Sequence, residues 1–236
     1  MPTFAERSTQ AEIMDNLSVA GKELDQALNE LDVINHLLGG NAVTFSALDK
    51  LVRQMQHQEA IITIADLGCG GGGMLRLVAK WANKKNLKFS LFGIDANENV
   101  IGFAKRNSRE FANIKYLSQD IQSPEFTNHS YDLILATLFL HHFTRDELIQ
   151  IFKKLASMAT YGIIINDLHR HWFAYHSFKF ISGIFSRSPM VKSDGPLSVL
   201  RGFKRKELIA ILQKAGITNY KLRWRWAFRW QLIIWT

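Results

Sequence analysis

The chain has 236 residues, a net charge of +8, 47% apolar residues and one cysteine. This is enough to bury one substantial core and too apolar for a disordered chain. No apolar run approaches the roughly 18 residues of a membrane-spanning helix. Cys69 alone excludes an internal disulfide or a cysteine-based metal cluster and suits a cytoplasmic protein. The opening MPTFAERSTQAEIMDN has neither the basic nor the apolar region of a secretion signal.

In chain order, residues 10–57 carry apolar positions at helical spacing: Ile13, Leu17, Leu24, Leu28, Leu31, Ile34 and Leu38. Gly39-Gly40 stops the first helix, and a second is expected from about Thr44 to His57. The rhythm then changes to alternating strands and helices. IITIADLG (61–68), FSLFGIDA (89–96), IKYLSQD (114–120), YDLILAT (131–137) and GIIINDL (162–168) read as strands. MLRLVAKWA (74–82) and ENVIGFAKRNSREF (98–111) read as helices, and Thr144 and Glu147 form a capping box that opens a helix to about Met158. Strands this apolar, separated by helices, predict a parallel sheet covered on both faces. An aromatic helix over 171–186, another over 205–215 and a closing antiparallel pair complete the chain. The expectation is an α/β fold with a doubly wound, seven-stranded, mostly parallel sheet, last strand antiparallel, and an N-terminal helical extension. Residues 1–57 form a helical cap and 58–236 the main domain, with 169–200 as a lid.

Five of the six positions from Gly68 to Gly73 are glycine, in the turn between the first strand and its helix. A nucleotide-like ligand sits there in doubly wound sheets, and glycine lets it touch the backbone. Gly68, Gly70 and Gly73 satisfy a dinucleotide fingerprint, with Asp95 placed as a ribose-binding acid. Asp66, Gly68, Gly70 and Gly72 equally satisfy D-x-G-x-G-x-G.

The second pattern resembles motif I of the Rossmann-like, class I S-adenosylmethionine-dependent methyltransferases. Asp95 in FGIDAN, Asp120-Ile121 in YLSQDI and the segment YDLILATLFLHHF resemble later motifs of that family. The resemblance covers about 60–236 and implies S-adenosylmethionine as cofactor. It implies that Asp66 supports the methionine part and that Gly68, Cys69, Gly70 and Gly72 supply the floor. Asp95 with Ala96 would hold the ribose, Asp120 with Ile121 the adenine, and Thr137 would border the methyl group. Direct methyl displacement needs no covalent enzyme intermediate, so Cys69 is read as a loop residue and not a nucleophile.

Base-amino methyltransferases carry Asn/Asp-Pro-Pro-aromatic where this chain has Ala136-Thr137-Leu138-Phe139, which argues against DNA. FLHHF resembles small-molecule O- and C-methyltransferases of ubiquinone and menaquinone biosynthesis. EIMDN, INHLLGG, NDLHRHWFAY and DGPLSVLRGF resemble bacterial methyltransferases found beside type III polyketide synthases, implying secondary metabolism and a phenolic or polyketide-like acceptor. His141, His142 and His169 are the candidate general bases, since neutral imidazole suits that task near pH 7; no metal site is expected. The aromatic lid implies a hydrophobic small-molecule acceptor that is large, flat or acyl-bearing, free or carrier-bound, and the protein is expected to be a monomer or weak dimer. Residues 169–236 hold 13 Lys/Arg against 2 Asp/Glu, net +11, while 1–168 hold 16 against 19, net −3. The alternatives are therefore an RNA methyltransferase using that basic region, or a non-catalytic cofactor-binding partner protein. Lys204, where Ser or Thr would be the usual N-cap, predicts a weaker start for the helix over 205–215.

Overall fold

The computed structural model describes residues 3–55 and 61–236. Positions 56 and 57, at the expected end of the second N-terminal helix, lie outside the described residues. The N-terminal segment makes a single 3-10 turn at Ile13–Asp15 before α1 (Lys22–Leu37) and α2 (Gly40–Gln54). α2 begins four residues before Thr44, because Gly39 adopts a left-handed conformation (φ 70°) and the chain re-enters a helix at once.

The main body follows as β1 (Ile62–Leu67), α3 (Gly73–Lys84), β2 (Phe89–Asp95), α4 (Glu98–Asn107), β3 (Ile114–Ser118), β4 (Tyr131–Thr137), α5 (Arg145–Met158) and β5 (Ala159–Leu168). α6 (Trp172–Phe185), α7 (Pro189–Arg201), α8 (Arg205–Lys214), β6 (Tyr220–Arg225) and β7 (Arg229–Trp235) complete it. The seven strands form one sheet in the order β3-β2-β1-β4-β5-β7-β6. Every pairing from β3 to β5 is parallel, and β7 runs antiparallel to both neighbours. The expected sheet is therefore present, with its crossover reversal between β1 and β4.

Two cores flank the sheet. On one face Leu148, Phe152 and Leu155 of α5 meet Leu208, Ile211 and Leu212 of α8 and Ile134, Ala136 and Ile163. On the other, Leu48 and Leu51 of α2, Leu75 and Val78 of α3, and Ile101 and Ala104 of α4 meet Ile64, Leu91 and Leu133. Each Leu, Ile, Val or Phe among them contributes about 1.5–3 kcal/mol by leaving water. α2 is tied to the sheet by polar contacts as well. Asn166 Nδ2 donates to Gly40 O (2.9 Å) and to Thr44 Oγ1 (3.1 Å), and Gln231 Nε2 donates to Val43 O (2.6 Å).

α5 opens with the capping box read in the sequence: Thr144 N donates to Glu147 Oε2 (2.7 Å), and Glu147 N donates to Thr144 Oγ1 (3.4 Å). At α8 the Lys204 side chain caps nothing, but Glu207 Oε2 accepts from Lys204 N (2.7 Å), so half of the motif survives. α7 has no counterpart in the sequence reading. It contains Gly195-Pro196, a pair that reads as a turn, yet Gly195 is where the Phe178 ring of α6 packs, and a Cβ there would lie 1.9 Å from that ring. Packing of α6 on α7 requires that glycine and overrides local propensity. Among the described residues, no helix is long and apolar enough to cross a membrane.

Candidate functional site

A cavity of about 1110 Å³ opens at the carboxyl ends of β1, β2, β4 and β5. That exceeds the roughly 300–1,000 Å³ of a single-ligand pocket. Its floor is the glycine loop. Gly68, Gly70 and Gly72 have φ of 61°, 50° and 74°, values that an L side chain rarely adopts. A Cβ on Gly68 would lie 2.1 Å from the Phe139 ring, whereas Gly70 has only Leu28 within 4 Å and leaves its backbone bare to the cavity. Gly72 precedes α3 and packs against the Tyr116 hydroxyl instead of lining the cavity.

The acids expected for the cofactor converge here. Asp66, Asp95 and Asp120 all line the cavity, as do Gly68, Cys69, Gly70, Ala96, Ile121 and Thr137. Asp66 is buried at the end of β1, and its Oδ1 has no hydrogen-bond partner. Burial, reinforced by Asp95 and Asp32, pushes its carboxyl up to about 8. An orphaned buried carboxylate beside a bare main chain fits a ligand carrying a cationic amine. Asp95 accepts from Asn97 N (3.0 Å) and from Gly70 N (3.3 Å), which ties the ends of β1 and β2 together. Burial raises its pKa. Asp120 accepts from Gln122 N (2.8 Å) and so shapes the turn after β3. The Cys69 thiol is buried and pushed well up by burial and then by Asp95, which suits a loop residue and not a nucleophile.

The histidine pair follows β4. Leu138 takes a left-handed conformation (φ 55°) with its N–H on Asn166 O (2.8 Å), and the chain then forms a short 3-10 turn over Leu140–His142. The two rings lie 4.4 Å apart between centroids and both line the cavity. His141 Nδ1 is 2.7 Å from Asp167 Oδ1 of β5. Burial alone would raise the Asp167 carboxyl, but the His141 contact outweighs it and holds the pKa low. Asp167 therefore accepts and His141 Nδ1 donates, which leaves Nε2 outside this contact. That Nε2 is 3.7 Å from Glu12 Oε1, a buried oxygen without a hydrogen-bond partner. Burial pushes Glu12 up to about 7 against the pull of His142, Ser198 and Arg201. His142 Nδ1 lies 2.5 Å from Asp15 Oδ1.

Glu12, Asp15, Asp167 and Arg201 are site residues that the sequence reading misses. Arg201 of α7 donates to Asp15 Oδ2 and to the carbonyl oxygens of Gln10, His141 and His142. Arg7 adds a bond to His141 O (2.8 Å). Asp167 has one local signal, a charge in the otherwise apolar strand GIIINDL; Glu12 and Asp15 lie in EIMDN and Arg201 in DGPLSVLRGF, segments that carry a resemblance without marking these residues as site groups. His169 stands apart from the cavity lining. It accepts from Trp224 Nε1 (3.2 Å) and packs edge-on against Trp230, and burial pushes its pKa down to about 4.

The remaining walls are apolar. Met14, Leu17, Leu31, Ile34, Phe178 and Ile181 enclose the side away from the glycines, supplied by the N-terminal segment, α1 and α6.

Residues 64–162 match the family model described as "Methyltransferase domain". Carboxy-S-adenosyl-L-methionine synthase from Staphylococcus epidermidis is 25% identical over 172 residues, covering 69% of this chain and 74% of that protein. Among solved structures, magnesium protoporphyrin IX methyltransferase from Synechocystis PCC 6803 with bound S-adenosylhomocysteine shares the fold at TM-score 0.56 and 20% identity, covering 84% of this chain and 83% of that one. A SAM-dependent methyltransferase from Aquifex aeolicus superposes at TM-score 0.60 and 16% identity, covering 89% and 97%. Residues 64–162 thus match a methyltransferase domain, and the chain has the Rossmann-like, class I methyltransferase fold.

Proposed function

We propose that the protein transfers a methyl group from S-adenosylmethionine to a small lipophilic acceptor of phenolic or polyketide-like character. The observation that carries this reading is the contiguity of three surfaces in one cavity: the acid-lined glycine loop, the His141–His142 pair and the apolar wall. Asp66 would hold the cofactor's ammonium group, Asp95 its ribose and Asp120 its adenine. Bound there, the cofactor supplies an electrophilic methyl on a sulfonium.

His141 is the base. Asp167 fixes its tautomer through Nδ1 and stabilises the imidazolium, so Asp167 acts as a positioning residue. When a bound acceptor hydroxyl gives up its methylation-site proton, His141 Nε2 would take it and Glu12 would receive it in turn. Arg201 and Arg7 hold the His141 carbonyl and keep the ring over the cavity. α1 and α6 exclude water around the reacting centre.

The test supplies purified protein with labelled S-adenosylmethionine and a panel of alkylphenols and hydroxylated polyketide aromatics. Label transfer to oxygen in the parent, lost in His141→Ala with cofactor affinity retained, is the expected outcome. Transfer undiminished in His141→Ala removes the base assignment, and transfer to none of the panel removes the acceptor class.

A further inference from the structure

One cation of the cavity lining is buried and takes no part in the scheme above. Arg229, the first residue of β7, is buried beside Leu168 of β5 and lines the cavity near Ile34, Leu38 and Phe228. Its Nη2 donates to Asn35 Oδ1 (3.0 Å), but Nη1 is buried with no hydrogen-bond partner. Burial lowers it to about 10, so it remains charged near neutral pH. The acid acting on it, Asp167, is engaged with His141. A buried guanidinium N–H without an acceptor is costly, and a ligand oxygen would relieve that cost. We infer that Arg229 is an acceptor-anchoring residue that binds a carboxylate on the lipophilic acceptor. This deepens the proposed function and rests on it for the identity of the ligand as acceptor.

Equilibrium binding of a 4-alkylbenzoate and the matching 4-alkylphenol, in the presence of S-adenosylhomocysteine, tests it without turnover. The parent should bind the benzoate more tightly, and Arg229→Met should weaken the benzoate at least roughly tenfold while leaving the phenol unchanged. Arg229→Lys, which keeps the charge and loses the planar fork, should fall between them and serves if the Met variant does not fold. Equal affinity of parent and variants for the benzoate, or no benzoate binding by the parent, overturns the inference. Benzoate binding without methylation of any phenol would sink only the acceptor class.

The outer surface carries an independent observation. α6 holds Trp172, Phe173, Phe178, Phe180, Ile181, Ile184 and Phe185, yet Ser182 is its one buried residue. Phe180, Ile184 and Phe185 are 69%, 58% and 77% exposed. The patch continues across the Phe173–Phe228 contact to the β6–β7 tip, where Trp226 is 70% exposed. Leu17, Val33 and Leu37, also exposed, extend it around the cavity mouth. Lys179, Arg187, Lys192 and Arg223 are exposed in the same part of the chain. The two acids of 169–236 are spent internally: Asp194 accepts from Ile13 N and Met14 N, and Glu207 pairs with buried Arg170. Glu30 of α1 is likewise tied to Ser186 Oγ, Arg187 N and Ser188 N at the end of α6, and the exposed aromatics among cations complement an anionic bilayer surface. We propose that this face docks on anionic membranes with the cavity mouth toward the lipid.

Co-sedimentation of the full chain with vesicles of phosphatidylcholine alone, or mixed equally with phosphatidylglycerol, tests the docking with no acceptor present. Binding to the mixed vesicles only, weakened by salt, is expected. Lys179→Gln/Arg187→Gln/Lys192→Gln should lower partitioning by about a hundredfold, at roughly fivefold per charge. Trp172→Ser/Phe180→Ser/Ile184→Ser should abolish it while cofactor affinity is retained. No binding by the parent, or binding that survives both variants, overturns the proposal. Self-association cured by the serine variant, without vesicle binding, overturns it in favour of a second copy.

Discussion

Replacing Asp167 by Asn isolates the positioning of His141 from the chemistry of the base itself. Asp167 Oδ1 accepts from His141 Nδ1 (2.7 Å) and Leu168 N (2.7 Å), and Oδ2 accepts from His141 N (3.2 Å). An amide offers one acceptor oxygen, so in either orientation its NH2 faces a buried backbone N–H. One lost buried acceptor costs about 1–3 kcal/mol of stability. The larger effect is on turnover. If Oδ1 keeps its place, the His141 tautomer survives but the imidazolium loses its counter-charge. The expected fall in kcat is therefore much of the general-base contribution, roughly 10²–10⁴. The assay is methyl transfer to a phenolic acceptor as a function of pH, with cofactor affinity followed by calorimetry. Because a phenol ionises by itself near pH 10, the variant should recover toward the parent as pH rises, with cofactor affinity unchanged throughout. A kcat within about threefold of the parent, with the same pH profile, would refute the dyad.

Asp66 is held up to about 8 and should ionise when an ammonium group binds beside it, so cofactor uptake below pH 8 should release a proton and tighten as pH rises toward that value. Calorimetry in buffers of different ionisation enthalpy reads the proton, and Asp66→Asn should remove it and weaken affinity by roughly tenfold or more. Without ligand the same group has the opposite sign: its raised folded pKa makes its contribution to stability decline as pH climbs from about 4 to 8. Gly68→Ala places a methyl 2.1 Å from the Phe139 ring at φ 61°. It should lower the melting temperature and cost at least about 1–2 kcal/mol, with weaker cofactor binding. Arg170 is fully buried and donates to Phe4 O, Ala5 O, Gly202 O and Glu207. Arg170→Leu should cost about 3 kcal/mol or more in urea unfolding, and a loss below about 1 kcal/mol would contradict the role given to that network.

The sheet and the cofactor side are legible because their signals are local. An apolar strand with an acid near its end, then glycines, is written within a few consecutive residues, and Asp66, Asp95 and Asp120 each lie within two residues of the end of a strand that also declares itself. The acceptor side is legible only in part. His141 and His142 stand out as a pair, but Glu12, Asp15 and Arg201 gain their meaning from partners more than a hundred residues away. α7 is hidden because Gly195-Pro196 reads as a turn, and the reason for the glycine, the Phe178 ring, lies on another helix. His169 looks like a counterpart of the post-β4 pair, yet the antiparallel hairpin brings Trp224 and Trp230 against it. Pairing across that hairpin is non-local and leaves no trace beside His169 in the sequence.

The leading segment has a consequence for the order of events during synthesis. Phe4 and Ala5 are held by Arg170, Ile13 and Met14 by Asp194, and Asp15 by Arg201, across separations of 165 to 186 residues. None of these partners exists while the ribosome is still making β1 through β4. The segment from Phe4 to Asp15 must therefore wait for these anchors until residues 170–201 have been translated. A nascent protein halted before Arg201 would already own its glycine turn and lack the roof above it.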